Sequence, residues 1–242
     1  INLNAKVNEI VVENGKITGI ETSNGRYDAE MVILATGVSP NTKILEGIVK
    51  MERGYIVVNE RMQTSREDIY AAGDCVIVKN FVDSSPFVIQ LATTAAKQGI
   101  VAGINLAGRN AMYSGALGNF VSVIGDLEVS AVGLTESYLA NKMKVVSARG
   151  KTLDRPEYAG GREITMKIVC DENGKVLGAQ AIGRNASREI NVIALAIKAG
   201  LSAQDLSALE TAYCPAVSDL YSIINLTADL ILRKINPSSY IF

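Results

Sequence analysis

Residues 6–34 alternate short apolar runs with turn signals. Val7, Ile10, Val11 and Val12 precede Glu13-Asn14-Gly15-Lys16, and Ile17 and Ile20 precede Ser23-Asn24-Gly25. Asn-Gly between such runs predicts a tight hairpin, because both turn positions tolerate positive φ. Met31-Val32-Ile33-Leu34 is continuously apolar and leads into Ala35-Thr36-Gly37, the pattern of a strand buried on both faces. Residues 38–63 are looser, with a turn at Ser39-Pro40-Asn41, an amphipathic piece over Lys43–Ile48 and a hairpin-like Tyr55-Ile56-Val57-Val58. A strand is expected over Asp68–Ala72. A helix is expected from about Gln90 to Leu106, with Leu91, Ala92, Ala95, Ala96 and Ile100 as its apolar face and Gly108 as its stop.

After Gly118 the texture changes. Strands are expected near 119–125, 128–132, 144–149, 163–170 and 175–182, the last two joined by Glu172-Asn173-Gly174-Lys175, the same turn solution as residues 13–16. Three helices follow. One over about 187–199 carries Ile190, Ile193, Ala194 and Ile197 and ends at Gly200; a short second opens with a capping-box-like Ser202 and Asp205. The last is expected to start near Ser218-Asp219, with Leu220, Ile223, Ile224, Thr227, Leu230 and Ile231 on one face, and to stop before Pro237. The order of elements predicts an α/β part followed by an α+β part.

Composition narrows the chemistry. The chain has 242 residues, enough for one or two domains with proper cores. It has no apolar run of about eighteen residues, so it reads as soluble and globular, without a membrane partner. A net charge of −1 leaves no strong attraction to nucleic acid. There is no His, which removes every imidazole-based triad, dyad or metal site. Cys75, Cys170 and Cys214 are widely spaced without a Cys-x-x-Cys, and no signal peptide is evident, as expected for a reducing cytoplasm. The chain opens Ile-Asn-Leu-Asn rather than with Met and reads as strand by residue 6, the look of a fragment or processed product.

The most informative segment is Thr64-Ser65-Arg66-Glu67-Asp68-Ile69-Tyr70-Ala71-Ala72-Gly73-Asp74. A strand ending in Gly would let a ligand approach the backbone, and the Asp carboxylate after it can accept a hydroxyl hydrogen bond. The segment resembles the second FAD-binding motif of the pyridine nucleotide-disulfide oxidoreductases, whose matching Asp holds a ribityl or pyrophosphate-side hydroxyl of FAD. Leu34-Ala35-Thr36-Gly37-Val38-Ser39-Pro40-Asn41 looks like the stretch with which that family's NAD domain returns to its FAD domain. Leu91-Ala92-Thr93-Thr94-Ala95-Ala96-Lys97-Gln98-Gly99 resembles the family's helix start, where free backbone N–H groups stabilise charge on the pyrimidine oxygen of a reduced flavin. Gly133-Leu134-Thr135-Glu136 resembles a motif of the interface domain, with Thr135 as an N-cap and Val132 where the family usually has Thr.

The resemblance implies a Rossmann-like FAD domain, with 1–37 as the C-terminal end of an NAD(P)-binding domain, 38–114 as the second segment of the FAD-binding domain and 115–242 as a dimerisation domain of antiparallel sheet plus helices. It assigns cofactor contacts to Gly37, Gly73, Asp74, Leu91, Ala92 and Thr93. The family's glutathione- and lipoamide-type members use a C-terminal His, so the zero His count points to the coenzyme A-disulfide reductase and NADH oxidase branch. In that branch tyrosines of one subunit reach the flavin and thiol substrate of the other. Here Tyr158-Ala159-Gly160 stands where the branch has Tyr-Tyr-Pro-Gly, and Ala212-Tyr213-Cys214-Pro215 where it has Ala-Tyr-Ala-Pro-Pro. A phenol can give a proton or hydrogen bond to a departing thiolate, so Tyr158 and Tyr213 are the catalytic candidates.

The implied cofactors are FAD and NAD(P)H, both requiring residues beyond this chain, which contains no Gly-x-Gly-x-x-Gly. The implied partners are a second copy, bound through 115–242 with the last helix and the Tyr213 loop in the interface, and coenzyme A or its disulfide. Two other readings remain open at this stage: a non-catalytic dimerising module, or part of a reductase of ferredoxin or rubredoxin. Cys75 and Cys214 read as packing or adventitious thiols, and Arg184, Arg188 and Lys198 as a solvated helix face.

Overall fold

A computed structural model describes residues 1–237. It divides into two compact units, Ile1–Ser39 and Pro40 onward.

The first unit is an antiparallel meander of β1 (Val7–Glu13), β2 (Lys16–Thr22) and β3 (Gly25–Asp28) in that order. Asn14 and Gly15, at φ 50° and 76°, form the two-residue turn that pairs Glu13 with Lys16, as the Asn-Gly signal requires. Met31–Leu34, expected as a buried strand, is irregular. Met31, Ile33 and Leu34 are 76%, 82% and 73% exposed. The meander closes at β3, and among the described residues no strand lies alongside the run to take its hydrogen bonds; an apolar sequence becomes a buried strand only with neighbours.

The second unit begins with a small mixed sheet of β4 (Met51–Glu52), β5 (Tyr55–Val57), β6 (Val76–Lys79) and β7 (Pro86–Phe87), in which only β5 and β6 run parallel. The expected strand at Asp68–Ala72 is a single bridge, Tyr70 to Gln63, flanked by Thr64 N donating to Ile69 O and Ala71 N to Met62 O, each at 3.0 Å. The strand proper starts after the Gly73-Asp74 turn, at Val76. Residues 69–72 have only the short 62–64 segment beside them, so pairing cannot extend.

Helix α1 (Ala92–Leu106) follows. Its extent matches expectation but its buried face does not. Ala92, Ala96 and Ile100 are exposed, whereas Gln98, Ala102 and Asn105 are buried. Both amide oxygens accept from loop backbone, Gln98 Oε1 from Gly73 N and Asn105 Oδ1 from Ala111 N. Asn105 Nδ2 donates to Arg61 O and Ala111 O, both at 2.9 Å, and its Oδ1 accepts from Ala111 N at 3.0 Å.

The remainder is a five-stranded antiparallel sheet of β8 (Phe120–Ile124), β9 (Leu127–Gly133), β10 (Val145–Leu153), β11 (Glu163–Asp171) and β12 (Val176–Gly183), ordered β10-β11-β12-β9-β8. A short α2 (Glu136–Leu139) follows β9, with Thr135 Oγ1 accepting from Tyr138 N at 3.3 Å as its N-cap. Helices α3 (Ala186–Ala199), α4 (Ala203–Ser207) and α5 (Ile223–Ile235) complete the core. Ile164, Met166, Ile168 and Cys170 of β11 pack with Ile190, Ile193, Ile224 and Ile231 of the helices, while Val169 joins Leu134 and Leu139 in a separate cluster, the period-two alternation of a sheet buried on both faces. Gly150 of β10 admits α5 closely: a Cβ there would sit 2.3 Å from Thr227 Oγ1.

The capping box at Ser202 and Asp205 is present. Helix α5 starts later than expected, with Ser222 accepting from Asn225 N at 3.2 Å. Leu220 lies outside the helix and is exposed, because residues 214–218 close into turns of their own. The apolar face of α5 is spent on its own sheet, with Ile224, Ala228 and Ile231 buried; it does not present the stripe expected to cover a second copy.

Candidate functional site

Gly73 sits at φ 90°, a conformation that L side chains rarely adopt. A Cβ there would meet Ala95 Cβ at 3.6 Å, so the positive φ of the turn is what asks for glycine within this chain. Its N–H donates to Gln98 Oε1 at 2.8 Å. This bond holds the Gly73-Asp74 turn against the first turns of α1 and leaves the Asp74 carboxylate exposed. The start of α1 has no capping side chain and no acidic residue in its first turn; Leu91, in extended conformation, is its N-cap. The first N–H groups, those of Ala92 and Thr93 among them, therefore have no partner within the helix and carry its positive end. Of the residues expected at the cofactor, Gly73 and Asp74 form this turn, with Gly73 near Ala95 of α1, and Leu91, Ala92 and Thr93 form the start of that helix. Gly37 lies in the other unit, exposed, at φ 83°. The motif around Leu91–Gly99 gives Gln98 no role by itself; the signal for it is a second face, Leu91, Thr94, Ala95, Gln98, Ala102 and Asn105, at helical spacing.

The tyrosines lie on two other loops. Tyr158 is 82% exposed, in a single 3-10 turn over Glu157–Ala159, and Tyr213 is 48% exposed, in the irregular segment before α5. Arg155 Nη1, beside the first loop, donates to Ala216 O of the second at 2.5 Å. Between the second loop and the start of α3 is a small cleft of about 130 Å³, lined by Asp154, Arg184, Glu189, Ser218 and Asp219 among others. Arg184, expected as solvated surface, is in fact paired: its Nε and Nη2 grip Asp154 Oδ2 and Oδ1 at 2.6 and 2.9 Å. The partners lie thirty residues apart and share no pattern, so nothing in the sequence announces them.

A larger cleft of about 640 Å³ runs between α1, residues 112–121 and α3, with Lys97, Tyr113, Phe120 and Lys198 in its walls. Of the expected site residues it includes only Thr93, so local geometry rather than cavity size marks the candidate site. Burial pushes the Cys75 thiol up, and the Cys170 thiol up to about 12, so neither is a ready thiolate. Among the described residues, no cluster of three or more His, Cys, Asp or Glu could hold a metal ion, and no helix is long and apolar enough to cross a membrane.

Two family models match, one described as pyridine nucleotide-disulphide oxidoreductase over residues 1–99 and the other as the dimerisation domain of the same family over 120–222. The chain belongs to the pyridine nucleotide-disulphide oxidoreductase family. It is 38% identical over 233 residues to an NADH oxidase of Methanocaldococcus jannaschii, a match covering 94% of this chain and 52% of that protein. It is 36% identical over 211 residues to a CoA-dependent NAD(P)H sulfur oxidoreductase of Pyrococcus furiosus, covering 85% of this chain and 48% of that protein. Among solved structures, an NAD-dependent persulfide reductase from A. fulgidus superposes with a TM-score of 0.89 at 29% identity, covering 96% of this chain and 44% of that one. The chain thus spans about half the length of the curated relatives it matches.

Proposed function

We propose that this chain provides the second half of a flavin site and a dimerisation domain in an FAD-dependent NAD(P)H oxidoreductase that reduces coenzyme A disulfide, a related persulfide, or oxygen or peroxide. Residues 1–37 end the nucleotide domain, 38–114 form the second FAD segment and 115–242 the dimerisation domain. The observation that carries the reading is the Gly73-Asp74 turn, locked by Gln98 beside an uncapped helix start. These groups fit FAD: an exposed carboxylate suited to a ribityl or pyrophosphate-side hydroxyl, and unpartnered N–H groups suited to an anionic pyrimidine oxygen. Bound there, FAD would supply hydride acceptance from NAD(P)H and electron delivery to sulfur or oxygen.

The chain's own residues bind and orient. Asp74 accepts a hydroxyl hydrogen, the Ala92 and Thr93 amides donate to negative charge, and the phenols of Tyr213 and Tyr158 donate to a departing thiolate in the site of a second copy. Exposed Val217 and Leu220 beside Tyr213 supply apolar surface for that copy, in place of α5. Three free thiols suit a reducing cytoplasm.

In the holoprotein, Asp74→Ala should lower the FAD content measured by absorbance after gel filtration, and full retention of FAD would count decisively against the assignment. Tyr213→Phe should slow turnover of coenzyme A disulfide. An unchanged rate would make the tyrosine incidental, as for a reductase of ferredoxin or rubredoxin.

A further inference from the structure

We propose that Asp154 is a positioning residue that holds both tyrosine-bearing loops at once, acting through Arg184 on residues 156–161 and through Arg155 on residues 212–219. The proposal deepens the reading above, in which Tyr158 and Tyr213 meet the substrate. Neither tyrosine is anchored by burial of its ring, so each must be aimed by its backbone.

Asp154 itself is 5% exposed on its side chain. A buried carboxylate is tolerated only when paired and hydrogen-bonded, and this one is engaged on every side. Its Oδ1 accepts from Arg162 N at 2.8 Å and from Arg184 Nη2 at 2.9 Å; its Oδ2 accepts from Arg184 Nε at 2.6 Å and lies 3.6 Å from Arg155 Nη2. Burial pushes the carboxyl up, but Arg184, the Arg162 amide and Arg155 outweigh it and hold it below the usual carboxylate range, so it stays charged. The fork-on-fork pair with Arg184 admits one orientation of the guanidinium.

That orientation aims a second Nη2 hydrogen at Gly160 O, 2.8 Å away. Gly160 O belongs to a closed turn: Ala159 N donates to Pro156 O and Gly160 N to Glu157 O, each at 2.9 Å, and Gly161 N to Pro156 O at 3.2 Å. Holding Gly160 therefore holds the backbone of Tyr158. On the other side Arg155 spans from Asp154 to Ala216 O. Ala216 sits in a turn where Val217 N and Ser218 N both donate to Cys214 O at 2.9 Å. Ser218 Oγ accepts from Cys214 N at 3.1 Å and donates to Ala212 O at 3.0 Å, bracketing Tyr213. One carboxylate thus reaches two loops about sixty residues apart in sequence.

Hydrogen exchange by mass spectrometry on the holoprotein tests this without reference to activity. Loss of one charge-assisted bond should raise exchange in the affected loop roughly tenfold. Arg155→Gln should do so in 212–219 alone, Arg184→Gln in 156–161 alone, and Asp154→Asn in both. The proposal is overturned if Asp154→Asn leaves either loop unchanged, or if the arginine variants loosen both loops or neither. Should Asp154→Asn not fold, the two arginine variants decide by the same criterion.

In turnover, Asp154→Asn should lower kcat for coenzyme A disulfide roughly tenfold with KM for NAD(P)H unchanged. Added to the Tyr158→Phe, Tyr213→Phe double variant it should slow turnover no further, and full additivity there overturns action through the tyrosines. If exchange behaves as expected while Tyr213→Phe turns over normally, the loop-holding role stands and the catalytic reading of the tyrosine falls.

Discussion

The five-stranded sheet β8–β12 and the four-stranded sheet β4–β7 hold together by different means. In the first, strands of five to nine residues alternate side chains toward α3 and α5 on one face, and Ile164, Met166, Ile168 and Cys170 interdigitate with helix isoleucines. In the second, strands of two to four residues offer little alternation, and the core is a smaller group around Ile56, Met62, Val76, Val78 and Ala102. There α1 contributes two buried amides, Gln98 and Asn105, that fix loop backbone by hydrogen bonds. Aliphatic packing gives bulk stability without choosing where a loop goes, whereas a buried amide accepts only one arrangement of donors and acceptors. The region proposed to meet a cofactor leans on the directional means, which the larger one adds to its aliphatic core through Asn225 of α5, donating to Leu206 O, Ser207 O and Leu209 O, and through Asp154 with Arg184.

The contrast can be broken at its strongest point first. Ile168→Ala should cost about 3–5 kcal/mol in chemical denaturation, because the surrounding sheet and helices cannot collapse into the space. Met62→Ala in the smaller core should cost less, about 2–3 kcal/mol, and equal losses would erase the distinction between the two cores. Gln98→Leu and Asn105→Leu should each cost about 1–3 kcal/mol. Only Gln98→Leu should also lower flavin content, since Gln98 and not Asn105 bonds the Gly73-Asp74 turn; equal flavin loss in both variants would deny it that role.

A smaller effect lies where the two regions meet. Asp83, between β6 and β7, accepts from Tyr138 Oη at 2.9 Å and Lys142 Nζ at 3.2 Å near α2, and from Ser85 Oγ at 2.6 Å. Burial pushes its carboxyl up, but these hydrogen bonds prevail and bring it down to about 2. A folded value below the unfolded one, near 4, means stability that is fully present above about pH 4 and lost as pH falls through about 2. Acid titration of unfolding should show a component in that window that Asp83→Asn lacks; superimposable curves would exclude the link. Smallest of all, Ile33→Ser in the 242-residue chain should change stability by less than about 0.5 kcal/mol, because the side chain is already exposed.

Much of this was legible before any coordinates. The strands after Gly118 follow from alternation and Asn-Gly turns, and α3 and α4 from their spacing and caps. The Gly73-Asp74 turn is tied to α1 through Gln98, joining residues that the sequence shows only as separate motifs. Besides the start of α5 and the solvated reading of Arg184, four readings needed correction, and each failed on its neighbours. Met31–Leu34 has the composition of a buried strand but, among the described residues, no sheet beside it. Asp68–Ala72 faces a partner too short to pair along its length. Helix α1 turns Gln98, Ala102 and Asn105 toward the core rather than Ala92, Ala96 and Ile100, and α5 spends its apolar stripe on its own sheet.

By itself the sequence determined what depends on residues a few positions apart: positive φ at Asn14 and Gly15, the Ser202 capping box, strand alternation, and the exclusion of imidazole chemistry by the absence of His. Tertiary structure alone decided which helix face is buried, which apolar run becomes a strand, and that Asp154 meets Arg184. Hydrogen bonding within a turn is closed by the local chain. Burial and ion pairing depend on groups tens of residues away, whose approach no local pattern records.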